Sequence, residues 1–500
     1  MGYNLYWGDS HTNIHTDHMD TIDKTYDFAR EILDFFPVAY YPFYYYEKDG
    51  LGIETCSHKK EFDQDWEKIK EMVKKYNNPG HFITFPGYEW HGNRRYYGDH
   101  NVFYLEEDKP LTDIQDVKEL YNFLKKNSGI AIPHHTGYKV RERGKDWSYF
   151  DPEVSPLAEI YSAHGSSEGS NTPFNLDNNK SMGPRSTSGC IQEGLKKGYK
   201  FGIIASGDSH FRIPGVWGRG LMGVYAEKLT RESLWEAFKS RRTIAITGDR
   251  IKAKLLTDNG FMGEEVADAS PEFKVIAEGS GYIDRIDLLK NNQILDAYVA
   301  KNIKNDSKNE FSKFKLRLSF GWGPKDYFEN LWNNWQGKIR IDNGEILEVE
   351  KAFTHWDQKV DRLKENEYTW KLKSKAREYR QQLIFTFKAK SSSSITIECN
   401  GKEIKFSLAE GLKKSQIIPY ISQAETQIVK EFGLKREEIE NPDVFYHQAY
   451  KMKIHQVVPE SAYRKEVTFK DLEVKGKNYY YARIYQKNGQ MAWTSPIWVR

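Results

Sequence analysis

The sequence predicts an α/β domain of the βα-barrel kind over residues 1–250, followed over 251–500 by a mainly antiparallel β-sandwich domain. Three observations carry this. Short apolar runs alternate with amphipathic stretches through the first half, as βα units do. Most of those runs finish in His, and one has Glu89 next to its end. After about residue 250 the texture changes to alternating, β-rich runs divided by Gly, Asn, Asp and Ser, the pattern of antiparallel strands and turns. At 500 residues the chain also exceeds what one core usually organises, so more than one domain is expected.

The first-half runs cover 3–11, 34–41, 81–90, 129–135, 157–164 and 201–210. Ionisable residues at the C-terminal ends of successive parallel strands gather functional groups at one mouth of a βα barrel. HNVFYL (100–105) begins with its histidine instead, and suits an antiparallel strand or the start of a loop. Helices are predicted where Ile22, Tyr26, Ala29 and Leu33 share a face, then Trp66, Ile69, Val73 and Tyr76, then Leu234, Ala237 and Phe238. In the second half, residues 408–470 are richer in helix formers, with Ile421, Ile428 and Val429 at amphipathic spacing, and read as a helical insertion.

Composition excludes several classes. Lys plus Arg (74) nearly balances Asp plus Glu (71), for a net charge of +3 without blocks of one sign, so a nucleic-acid partner is not expected. No apolar run approaches the roughly 18 residues of a membrane span, and mean hydropathy is -0.75. Cys56, Cys190 and Cys399 are far apart and form no CxxC pair; such a trio is a poor disulfide framework and fits a reducing, cytoplasmic setting. The N-terminal residues show neither the basic nor the apolar region of a signal peptide.

Eleven of the 14 histidines lie at or before His210, which places metal and acid/base chemistry in the first half. Three segments carry it: GDSHTNIHTDH (8–18), PGYEW followed by GDHNV (86–102), and SGDSH (206–210). Asp-x-His in an extended chain puts carboxylate and imidazole on one face. Glu89, between Tyr88 and Trp90 at the end of an apolar run, is an expensive site for an unpaired carboxylate and a favourable one for a carboxylate on a cation.

These residues resemble the PHP superfamily, the polymerase and histidinol phosphatase domains, and within it a branch described as a domain of unknown function. GDSH is similar to the branch's GDLH, GYEW and GDHNV to its GYEW and GHRNV, and AWTSPIWV to its AWSSPI ending; EIYSAHGSSEG, SGDSHFRIPG and RRTIAITGDRI resemble further motifs. The resemblance implies a distorted (βα)7 barrel whose mouth holds divalent cations, and hydrolysis of phosphate esters. It implies metal ligation by His11, Glu89, His100, His134, Asp208 and His210. Two departures stand out: the family's second histidine is Asn13 here, and its Asp-His after the second strand is Tyr40-Tyr41. One or two ions are therefore expected, zinc or manganese with iron as a third choice, and His15 and His18 are available as replacement ligands.

A leaving alkoxide needs a proton, for which His18, His135 and His164 are the candidates. Glu159 could orient an imidazole or bind metal. Arg212 and Arg185, flanking SGDSH with Arg219, suit an anionic ester, and Asn13 is assigned to substrate with them. Arg241, Arg242 and Arg250 read as structural. Tyr40 or Tyr41 is expected to fill the place of a lost third cation and to direct its hydroxyl to substrate, which favours a diester or sulfate over a phosphomonoester dianion. The expected substrate is a small anionic ester, sugar-like among the options. Sulfate-ester hydrolysis at the same site is the near alternative, and a non-catalytic carbohydrate-binding protein the distant one.

Overall fold

A computed structural model describes residues 2–48, 51–55, 59–176, 182–301, 311–321, 332–375, 380–435 and 450–500. Cys56 and His447 lie outside the described residues, as does 436–449 of the stretch read as an insertion. The chain is mixed α/β and divides into two compact units. The first comprises Met1–Gly279, Ile283–Ala300 and Lys465–Arg500, the second Ser280–Tyr282 and Lys301–Arg464.

This division corrects the boundary at 250. Thr243–Ile246 pairs antiparallel with Met491–Thr494, and Glu265–Val266 pairs parallel with Ile497–Val499. The chain's last strands therefore complete the sheet that carries its first. Such pairing is non-local and leaves no periodic trace in the sequence.

In the first unit, strand Asn4–Gly8 runs parallel to Phe35–Pro37, which is parallel to Ile83–Phe85; on its other edge it is antiparallel to Leu221–Ala226. A second sheet places Asn13–His15, Ala39–Tyr41 and Gly87–Trp90 side by side and parallel, then turns antiparallel through His100–Tyr104 and Gly129–Pro133. A third pairs Leu157–Ser162 with Gly202–Ala205, again parallel. Strands are thus mixed rather than uniformly parallel, and HNVFYL is antiparallel on both sides. Phe35, Phe85, Phe103, Ile132, Leu157, Ile204 and Val224 bring all three sheets into one core.

The helices follow the apolar spacing. Ile22–Ile32 buries Ile22, Tyr26, Ala29 and Ile32; Trp66, Ile69 and Val73 are buried along Lys59–Tyr76; and Arg231–Lys239 buries Leu234, Ala237 and Phe238. Burial of one stripe, more than intrinsic propensity, holds helices of this length. Among the described residues no helix is long and apolar enough to cross a membrane.

The second unit contains a six-stranded and a five-stranded sheet. Phe320 and Phe385 of the former pack on Trp370 of the latter, with ring centroids 5.5 and 6.4 Å apart. The stretch read as a helical insertion is mixed among the described residues. Its described part holds a single helix of more than four residues, Ile421–Phe432, while Gln416–Pro419 and Lys451–Ile454 pair with each other and the latter with Ser312–Phe320. QIIP and KMKI are too short to display a period of two.

Candidate metal centre

The two GDSH segments clasp one another. Asn13 N–H donates to the Ser209 carbonyl (2.9 Å) and Ser209 N–H to that of His11 (3.1 Å). Asp9 locks the clasp: Oδ1 accepts the N–H of His11 (3.0 Å) and Gly207 (2.8 Å), and Oδ2 accepts from Gly215 N–H (2.8 Å) and the Thr12 hydroxyl (3.0 Å). A Cβ on Gly207 would lie 2.7 Å from Asp9 Oδ2, which accounts for glycine there. Asp9 thus spends its oxygens on the backbone and positions its neighbour, His11.

His11 Nδ1 lies 3.0 Å from Glu159 Oε2. The His135 N–H and the Ser206 hydroxyl also bond Glu159, so this acid orients His11 rather than standing among the ligands. The arrangement leaves the other nitrogen, Nε2, facing Glu89 Oε2 at 3.6 Å and Asp208 Oδ1 at 3.5 Å. His134 Nε2 lies 3.5 Å from Glu89 Oε1. His11 Nε2, Glu89 Oε2 and both His134 ring nitrogens are buried without a hydrogen-bond partner among the described residues, an arrangement that costs about 1–3 kcal/mol per group unless something else satisfies them.

Among the described residues, four overlapping trios keep their ligand atoms within 4.8 Å of one another: His11, Glu89 and His134; Asp99, His134 and His135; His135, His164 and Asp208; and Glu89, His91 and Asp99. Burial opposes charge at Glu89 and at Asp208. His91, His11 and His134 around the first, and His11 and His164 around the second, outweigh it and hold both carboxyls well below the usual range. His135 (φ 33) and Asp208 (φ 47) are non-glycine residues in the left-handed region. Such backbone outliers concentrate where side chains are aimed for function.

Several expected residues stand elsewhere. His100 is not in the cluster: Nδ1 meets the Gly98 carbonyl at 3.1 Å, and Nε2 faces Lys145 Nζ (3.2 Å) and the Tyr121 hydroxyl (3.3 Å). Its neighbour Asp99 takes the place, because side chains alternate along an extended chain. Two Arg residues fasten on Asp99: Arg143 Nε reaches Oδ2 (2.9 Å) and Arg94 Nε reaches Oδ1 (3.2 Å). His91, the other residue the sequence reading missed, lies between Glu89 Oε1 and Arg94 Nη1.

His210 sits at the rim, its side chain 47% exposed, with Nε2 3.5 Å from Asp208 Oδ1 and 3.3 Å from Asn13 Nδ2, and Nδ1 2.9 Å from His15 Nε2. His18 accepts the His15 N–H at Nδ1 (3.3 Å) and turns Nε2 toward Asp17, away from the buried group. His164 joins the centre, with Nε2 2.9 Å from Asp208 Oδ2 and Nδ1 2.9 Å from the Tyr138 hydroxyl. Burial lowers the His164 pKa, but Asp208 outweighs it and the net shift is upward.

The adjacent tyrosines part company. Tyr40 donates to Asp65 Oδ2 (2.8 Å) and meets the Thr16 hydroxyl (3.3 Å), facing the Lys59–Tyr76 helix and not the mouth. Tyr41 packs among His15 (centroids 4.4 Å), His91 (4.9 Å) and His210 (5.4 Å). The anticipated substrate arginines are engaged elsewhere. Arg185 donates to the Gly169 carbonyl (2.6 Å) and Arg212 to the Thr21 hydroxyl.

Residues 44–138 and 215–282 match the profile of a family described as "Protein of unknown function (DUF3604)". The chain is 33% identical over 247 residues to an uncharacterized protein of Chlamydia pneumoniae, covering 46% of this chain and 39% of that one. An uncharacterized protein of Chlamydia trachomatis is 26% identical over 328 residues, or 59% and 51% of the two chains. A third, from Chlamydia muridarum, is 26% identical over 274 residues, or 50% and 42%. The matches thus span about half or less of these relatives' own length. Among solved structures, a two-domain protein from Bacteroides vulgatus, described as containing a predicted PHP-like metal-dependent phosphoesterase, is 13% identical, with 81% of this chain and 95% of that chain covered and a TM-score of 0.33.

Proposed function

We propose that the first unit is a metal-dependent hydrolase of phosphate esters acting on a small anionic substrate. One observation carries the reading: the buried, unpartnered donor atoms of His11, Glu89 and His134 converge within 4.8 Å. Nitrogen and carboxylate donors of this kind suit zinc, manganese or iron. The residues fit a cation, since the lone pairs left open are the ones turned toward one another.

His11, Glu89 and His134 would hold one ion, with Asp208 beside them; His135 and Asp99 extend the donor set toward a second. A divalent cation in such a set supplies a water of lowered pKa and polarises an ester oxygen. The chain's own residues do the rest. Glu159 fixes the His11 tautomer by taking Nδ1–H. In hydrolysis the water oxygen joins phosphorus, the bond from phosphorus to the alcohol oxygen breaks, and that oxygen needs a proton. His164, its pKa raised beside Asp208 and its Nδ1 held by Tyr138, is the group suited to hold that proton. Arg94 and Arg143, drawn in by Asp99, bring two cations next to the donor set. The same proposal includes the barrel and sandwich reading of the two units.

The test is elemental analysis of protein expressed with supplemented metals, joined to a screen of phosphate and sulfate monoesters and diesters. Bound zinc, manganese or iron with turnover of a phosphate ester is the expected result. Absence of all three metals would overturn the reading.

A further inference from the structure

Beside the centre lies a cavity of about 120 Å³ that shares two residues with it, Glu89 and His91. Its walls are otherwise largely apolar, with Phe43, Phe62, Tyr88, Trp90, Leu111 and Ile114 the chief of them. Phe43 stacks on His91, ring centroids 4.3 Å apart and planes inclined by 14°, so one ring belongs to the cavity wall and the next to the centre. The charged side chains that line it besides Glu89 and His91 are Asp63 and Asp113, and the described lining contains no Lys or Arg. The Tyr88 hydroxyl is buried and finds no hydrogen-bond partner among the described residues.

Each feature limits the occupant. A volume near 120 Å³ approaches that of the apolar cavities of about 150 Å³ that accept benzene, so a single ring is accommodated. Aromatic walls favour a flat apolar group through edge and face contacts. The described wall offers an anionic group carboxylates and neither Lys nor Arg, which sets aside a second phosphate or a sugar acid.

We infer that this cavity binds the alcohol part of the substrate, and that this part is a single uncharged aromatic or similarly flat apolar ring. The inference rests on the hydrolase reading for the word substrate, but the cavity's preference for such a ring is a property of the chain alone. The ring lies against Phe43 and Tyr88 while the anionic end of the ester reaches past His91 to the donor set. Leu111 and Thr112, both on the cavity wall and outside the centre, set the depth available.

The experiment has two arms, chosen so that the two readings fail separately. In the first, phenol binding to metal-stripped full-length protein is followed by ligand-observed NMR for wild type, Leu111→Trp and Thr112→Phe; the second variant serves if the first does not fold. Saturable binding in wild type, weakened about tenfold or more by filling the cavity, is expected. Binding that is absent, or equal in wild type and the folded variants, overturns the inference. In the second arm, metal-loaded protein is given phenyl phosphate and methyl phosphate. A kcat/KM preference for the phenyl ester over the methyl ester that falls in the filled variants is expected. Equal preference before and after filling overturns the substrate assignment. Phenol binding that responds to filling, in a protein that takes up no zinc, manganese or iron, overturns the hydrolase reading and leaves the ring site standing.

Discussion

Glu168 and Arg483 are 315 residues apart in the chain and 2.7 Å apart in the fold. The Glu168 carboxylate is fully buried and also accepts from the Tyr481 hydroxyl (2.8 Å) and Trp493 Nε1 (3.0 Å). Four donors from the C-terminal strands thus converge on one acid beside the third sheet, since Arg483 gives both Nε and Nη2. Breaking a buried pair leaves a charge without its partner, at a cost of about 3–5 kcal/mol. Glu168→Gln is therefore expected to lower the urea midpoint of the first unit by that equivalent. A midpoint within experimental error of wild type would refute this.

Metal content separates the ligands from their neighbours. Glu89→Gln and His134→Ala are expected to lose most of the bound metal, because each removes an atom that faces the others unpartnered. His100→Ala is expected to keep its metal, since the ring serves Gly98, Tyr121 and Lys145 instead. His164→Ala should lose less metal than Glu89→Gln. Elemental analysis of the four purified variants checks the order.

Tyr40 and Tyr41 should behave differently. Removing the hydroxyl of Tyr40 breaks its bond to Asp65, so Tyr40→Phe is expected to cost about 1 kcal/mol of stability and to leave ester turnover unchanged. Tyr41→Ala strips the buried ring from His15, His91 and His210 and is expected to reduce turnover and to cost about 3–5 kcal/mol of stability. Paired melts and initial rates decide this, and equal effects from both variants would contradict it.

Lys145 gives a pH dependence. The residue is 1% exposed, and burial pulls the pKa of its ammonium down to about 7. Between that value and the unfolded pKa of about 10.4, the unfolded chain binds a proton that the folded chain does not, so stability rises with pH across that window. Below pH 7 both states are protonated and the contribution is flat. Lys145→Met should flatten the rise in unfolding free energy between pH 7 and 9. Parallel curves for the two proteins would count against the assignment.

What the sequence exposes is local. Ile22, Tyr26 and Ala29 mark their helix because burial repeats every three to four residues, and the crowding of histidines up to His210 marks the half that bears the centre. What it hides depends on partners distant in sequence. Asp99 and His100 are adjacent, and only the side each faces, settled by Asn101 reaching the Ser10 carbonyl (3.3 Å), decides which of them joins the buried cluster of acids and histidines. His91 follows its strand in a turn, where no period applies. Tyr40 and Tyr41 stand together in the sequence reading because the chain offers no sign of which one meets Asp65. A boundary at 250 misses for the same reason: pairing between Thr243–Ile246 and Met491–Thr494 is a fact about two segments, and neither shows it alone.

That pairing also sets an order of events during synthesis. Strand Thr243–Ile246 leaves the ribosome with one edge open, and the segment that closes it follows only after the whole of Lys301–Arg464 has been made. At about 5–20 residues per second, the stretch of roughly 240 residues between Ile246 and Met491 takes on the order of 10–50 s. Through that interval the nascent first unit carries an unpaired strand edge, a template for unwanted association, and Glu168 waits for Arg483. The histidines and acids of the centre emerge early, but the sheet beneath them is finished last.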